Sequence, residues 1–156
     1  MTSTADSPRH QSERTGAWRR RAADLLDLCA ISAPAEQVDR LREAFVLLDA
    51  SELPPQLPAA GMLGAVDFAT LMRHGGYLSA AESLLGDRTS YMLSRGPGGR
   101  SMASVVHDGQ ASEQTSEGET PALALVGAQL AGLLAMLDGA RAAEARVRSV
   151  AAARLN

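Results

Sequence analysis

The 156-residue chain has 15 basic residues, every one arginine, against 18 acidic ones, for a net charge of −3. That balance gives no global pull toward nucleic acid, and the single cysteine, Cys29, excludes a disulfide framework and suits a cytoplasmic protein. No apolar run follows Met1, so no signal peptide is expected, and a 46% hydrophobic content suffices to bury one core without staples.

Residues 1–14 are polar and unpatterned and read as a disordered tail. From about Thr15 the pattern is helical: Trp18, Ala22, Leu25 and Cys29 share one face, while Arg20 and Asp24 stand four apart on another, where they can pair. Arg19, Arg20 and Arg21 form a basic cluster suited to an anion or nucleic-acid contact, although Asp24 and Asp27 follow closely and also fit a solvated helix start. A break at Ile31 to Pro34 opens a second helix to about Asp49. Its inner face is Val38, Leu41, Phe45 and Leu48, so residues 15–50 predict an αα-hairpin. A DNA-reading helix-turn-helix is disfavoured because Glu36, Asp39 and Glu43 would repel phosphates beside Arg40 and Arg42.

Residues 51–62, with three prolines between Ser51 and Ala60, predict a stiff extended linker. Residues 63–137 then predict a small α+β domain. Ser79 and Glu82 have capping-box spacing ahead of a short helix through Leu85, which Gly86 ends. Runs 88–95 and 100–107 alternate as two strands around the turn Gly96, Pro97, Gly98, Gly99. Asp108 to Glu119 reads as an acidic loop with room for a third strand.

The stretch from Thr120 to Leu137 is the most apolar. Thr120 and Pro121 read as a helix start, and Leu123, Val126, Leu130, Leu133, Leu134 and Leu137 form a stripe at helical spacing. The remaining ridges, Ala124, Gly127, Ala128, Ala131, Gly132 and Ala135, are apolar and small. A helix apolar all round is buried on more than one side. The small face can accept a sheet, another helix or the same helix of a second copy, and it marks those six residues for self-association. The run is shorter than the roughly 20 apolar residues of a membrane span, so no membrane is expected. Residues 138–156 read as a basic continuation of this helix or as a tail.

The order of short helix (Ser79 to Leu85), hairpin, then a helix opening Thr120, Pro121, Ala122, Leu123 resembles small uncharacterised proteins encoded by phages and prophages of GC-rich bacteria. The likeness covers about residues 77–137. It departs in having Tyr91 as the only strand aromatic and in its N-terminal hairpin. The resemblance implies an accessory phage-like protein and carries over no activity or site residues.

Catalytic and metal signals are weak. His10, His74 and His107 are far apart, and neither His-x-x-x-His nor Cys-x-x-Cys spacing occurs, so no metal and no cofactor are expected. Cys29 lies on an apolar helix face, as a core residue does. His107 and Asp108 are neighbours on a strand and point to opposite faces, which disfavours a dyad. Ser94 to Ser101 echoes a phosphate loop, but Pro97 removes a donor and a strand follows instead of a helix. Arg95 and Arg100 remain as flanking anion contacts.

The sequence therefore predicts a mostly helical α+β fold, with an N-terminal helical hairpin and a small antiparallel β-hairpin layer on a long buried C-terminal helix. The expected function is a non-enzymatic, self-associating interaction or assembly module. The alternatives are a nucleic-acid regulator using Arg19 to Arg21 with Arg141, Arg146, Arg148 and Arg154, and an enzyme built from Asp67, His74, His107 and Asp108.

Overall fold

The computed structural model describes residues 8–59, 61 and 63–154. Helix α1 spans Pro8–Ile31 and buries Trp18, Ala22, Leu25 and Cys29 on one face. It starts about two turns before Thr15, so residues 8–14 are helical where a disordered tail was predicted; residues 1–7 lie outside the described part. A 3₁₀ turn, Pro34–Glu36, leads into α2, Gln37–Leu47. The two helices pack as the expected hairpin, clamped where the buried Trp18 indole N–H donates to the Leu47 carbonyl at 2.8 Å. That bond satisfies one of the end carbonyls a helix leaves without an internal partner.

Residues 51–59 turn rather than extend. Leu53 N–H donates to Asp49 O and Leu57 N–H to Pro54 O, while Pro54 and Leu57 are buried. Proline fixes φ but suits turns as well as extended chain. The predicted linker thus folds onto the core, and one apolar cluster unites Trp18, Leu41, Leu57, Phe68, Val105 and Leu123. Helix α3, Ala65–Arg73, packs Phe68 against Phe45 with ring centroids 4.3 Å apart. Helix α4 is Tyr77–Glu82. It begins before Ser79, so the predicted capping box does not form, and Glu82 instead accepts the Tyr91 hydroxyl proton.

Strands β1 (Thr89–Arg95), β2 (Ser101–His107) and β3 (Gln114–Gly118) form an antiparallel meander in the order β1-β2-β3. The third strand lies inside the predicted acidic loop. In β2, Ser101, Ala103, Val105 and His107 face inward and are buried, while Met102 and Val106 face outward.

Helix α5, Pro121–Arg154, is 34 residues long, about 50 Å at the usual rise per residue. Thr120 Oγ1 accepts the Leu123 N–H at 3.2 Å, the N-terminal cap the sequence predicts. The helix continues without a break through Gly139. By length and apolarity Pro121–Ala153 would suffice to cross a membrane, but 67% of its most apolar window is buried inside the fold. Its first half is a core helix, with the sheet on one side and α1, α2 and α4 on the others.

The small face of α5 lets the sheet approach its backbone. A Cβ on Gly127 would stand 2.3 Å from Ser116 Oγ, and one on Gly132 would stand 2.4 Å from His107 Nε2. Those distances leave no room for a methyl group.

Candidate functional site

The six residues marked for self-association lie beneath the chain's own sheet and helices. Ala124 and Ala128 are fully buried, Gly127 and Gly132 are buried against Ser116 and His107, and Ala131 and Ala135 are half-buried. The small ridge thus receives the sheet, one of the three occupants its composition allows. A second copy has no access to Ala124, Gly127, Ala128 or Gly132 in this fold, while Ala131 and Ala135 stay partly exposed.

The arginines divide into paired and unpaired. Arg19 is hydrogen-bonded to Asp138, which raises its pKa, and Arg21 lies 3.6 Å from Glu52. Arg20 has no ion pair among the described residues, and the predicted pair with Asp24 is not among the contacts formed there. Arg100 binds Glu119, approaches Glu117 at 3.7 Å and donates to the Ala30 carbonyl at the end of α1 at 2.8 Å. Arg95 is exposed and donates to the Gly99 carbonyl. Arg20 and Ala30 are ten residues apart on α1, about 15 Å by helical rise. The Arg19 to Arg21 and Arg95/Arg100 groups therefore lie at separate places.

The residues of the enzyme reading are not gathered. Asp67 and His74 are exposed on α3 and at its end. His107 and Asp108 border a cleft of about 540 Å³ with Leu57, Leu133 and Gln129, which Asp67 and His74 do not line. Asp108 pairs with Arg88, whose guanidinium holds its carboxyl below the usual value.

His107 is 4% exposed. Its Nδ1 is 3.0 Å from Thr89 Oγ1, and that hydroxyl donates its one proton to the Leu85 carbonyl at 2.7 Å. The imidazole must then carry its proton on Nδ1. Its Nε2 is a lone-pair acceptor packed on Gly132, buried and without a partner among the described residues, and burial lowers the pKa. Gln129 Nε2 donates to Leu84 O and Leu85 O, and its buried Oε1 likewise has no partner among the described residues. Both groups tie the end of α4 to the core. The thiol of Cys29, also in the core, is pushed up to about 12 by burial.

The surface with an unmet requirement is the β1–β2 ribbon. Tyr91, Met92, Met102 and Val106 are all exposed on it. Strand β1 is a sheet edge whose principal contacts are with β2 alone. Tyr91 and Leu93 pair with Val105 and Ala103 and share their inner face, and Met92 pairs with Ser104 on the outer one. The signal was there in the sequence, because β1 has apolar residues at both parities and so no fully polar face.

A second exposed feature is the far end of α5. Residues 141–153 are all exposed, a helical arm bearing Arg141, Arg146 and Arg148 with Glu144. Comparison with protein-family models, curated protein sequences and solved structures finds no match.

Proposed function

We propose that the protein is a non-enzymatic, cytoplasmic interaction module that works by assembling with itself, of the accessory kind its resemblance to phage-encoded proteins implies. The supporting observation is the group Met92, Met102 and Val106, exposed together on the outer face of the β1–β2 ribbon, with Tyr91 exposed on its other face at the sheet edge. Scattered apolar residues on a surface need no explanation, but a contiguous group beside unpaired backbone suits a partner. The reading is tested by absolute mass from light scattering during size-exclusion chromatography, across protein concentrations. A mass above the 16.3 kDa of one chain that rises with concentration is expected, and 16.3 kDa throughout would overturn the reading.

The α5 arm favours a second reading, a nucleic-acid-associated regulator. Its cations Arg141, Arg146 and Arg148 lie on a wholly exposed helix, and Arg154 extends the set in sequence. Retention on DNA at low salt with a steep loss as salt rises would support it, and no retention at low salt would remove it.

A further inference from the structure

Strand β1 is a sheet edge and turns a row of backbone groups to solvent, a template on which another strand can pair. Gly96 N–H donates to Arg100 O, and Asp108 N–H donates to Arg88 O. These bonds frame the β1–β2 ladder, in which Thr89 pairs with His107 and Arg95 with Ser101 without a bulge. Hydrogen-bonded pairs alternate along an antiparallel ladder. Ser90, Met92 and Ser94 therefore turn their amides and carbonyls toward β2, and Thr89, Tyr91, Leu93 and Arg95 turn theirs outward.

Among the described residues β1 has no proline, no bulge and no covering helix, and its one charge, Arg95, stands at its end. The opposite edge differs. Strand β3 is five residues long, carries Glu117 and lies beside α1.

We propose that β1 docks against β1 of a second copy of this chain, antiparallel and about a two-fold axis at Met92, joining two three-stranded sheets into one. The strand's own sequence favours this occupant. Centring the pair on Met92 aligns the whole of β1, with Thr89 opposite Arg95 of the second copy, Ser90 opposite Ser94, and Tyr91 opposite Leu93. The outward-facing residues Thr89, Tyr91, Leu93 and Arg95 become the hydrogen-bonded pairs. Met92 meets its own copy in a non-hydrogen-bonded pair, where side chains come closest. No like charges oppose each other. Tyr91 and Leu93 lie on the inner face, in a strand that α5 supports less than it does β2 and β3, and each gains an apolar neighbour. Because β3 is the guarded edge, the assembly closes at two chains instead of growing into a fibre.

The pairing rests on the self-association proposed above and names its surface. Met92 is 65% exposed, so charged substitutions there leave the monomer fold intact, as unchanged circular dichroism would verify. In the full chain, Met92→Glu and Met92→Lys each place like charges opposite each other on the axis, and their equimolar mixture places opposite charges there. Light scattering should give about 33 kDa for the wild type, twice 16.3 kDa. Each variant alone should run at the single-chain mass, and the mixture should return to the wild-type mass. The Cα separation of a non-hydrogen-bonded pair, about 4.5 Å, also suits a disulfide, so Met92→Cys should crosslink under mild oxidation while the buried Cys29 stays reduced. A wild-type dimer that both charged variants also form would overturn the β1 pairing and leave self-association standing. A wild type that stays monomeric throughout would overturn both.

Discussion

Gly132→Ala and Gly139→Ala make the same chemical change in one helix and should have opposite effects. At either position alanine improves helix propensity by about 1 kcal/mol. At Gly139 nothing lies within 4 Å of the new methyl group, so the gain is kept. At Gly132 the methyl would meet His107 Nε2 at 2.4 Å and Cδ2 at 2.7 Å. The ring cannot retreat freely, because Thr89 holds its other nitrogen at 3.0 Å. Overpacking costs about 1–3 kcal/mol, and displacing the hydrogen bond costs about 1 kcal/mol more. The net effect at Gly132 is therefore a loss of roughly 1–3 kcal/mol, against a gain of about 1 kcal/mol at Gly139.

Each kcal/mol moves the melting temperature of a domain this size by about 2–4 °C. Thermal melts at one fixed protein concentration should then separate the two variants by at least about 4 °C, because association would otherwise shift the midpoint. Adding His107→Ala to Gly132→Ala should recover part of the loss, since it removes the clashing ring. A Gly132→Ala protein as stable as Gly139→Ala would refute the close seating of the sheet on α5.

Acid should weaken the fold through His107. Burial holds the folded pKa below the ordinary 6.5, so as pH falls through about 6.5 the unfolded chain takes up its proton first. The stability is fully present above that value and is lost below it, so the urea midpoint should drop between pH 7.5 and 5.5 by less in His107→Asn than in the wild type. Arg100→Met removes the bond to Ala30 O and the contacts with Glu117 and Glu119. With the side chain 41% exposed, screening limits the loss in denaturant melts to about 1 kcal/mol. Cys29, buried and with its thiol pushed up to about 12, should resist maleimide in the folded protein and react once urea unfolds it.

The apolar periodicities were legible because burial selects them directly. Trp18, Ala22, Leu25 and Cys29 at helical spacing are the buried face of α1, and the alternation of Ala103 and Val105 with Met102 and Val106 is the inside and outside of β2. Thr120 announced the start of α5 through its hydroxyl chemistry. What was not legible depended on partners distant in the chain. Ser79 and Glu82 have capping-box spacing, but Glu82 is engaged by Tyr91 and the helix starts at Tyr77. The prolines after Ser51 read as a stiff connector, yet Pro54 and Leu57 are held against the core. The small face of α5 was recognised as a contact surface. Its occupants are Ser116 of β3 and His107 of β2, distant in the chain and seated on Gly127 and Gly132 by the fold alone.

The most direct test of self-association through the sheet edge is amide hydrogen exchange in β1, resolved by residue, at protein concentrations well above and well below the association midpoint. The amides of Ser90, Met92 and Ser94 bond to β2 within one chain and should be protected at both concentrations. Those of Tyr91 and Leu93 should exchange freely when dilute and become protected when concentrated. Tyr91 and Leu93 amides that exchange equally fast at both concentrations, in samples whose mass has doubled, would contradict pairing through this edge.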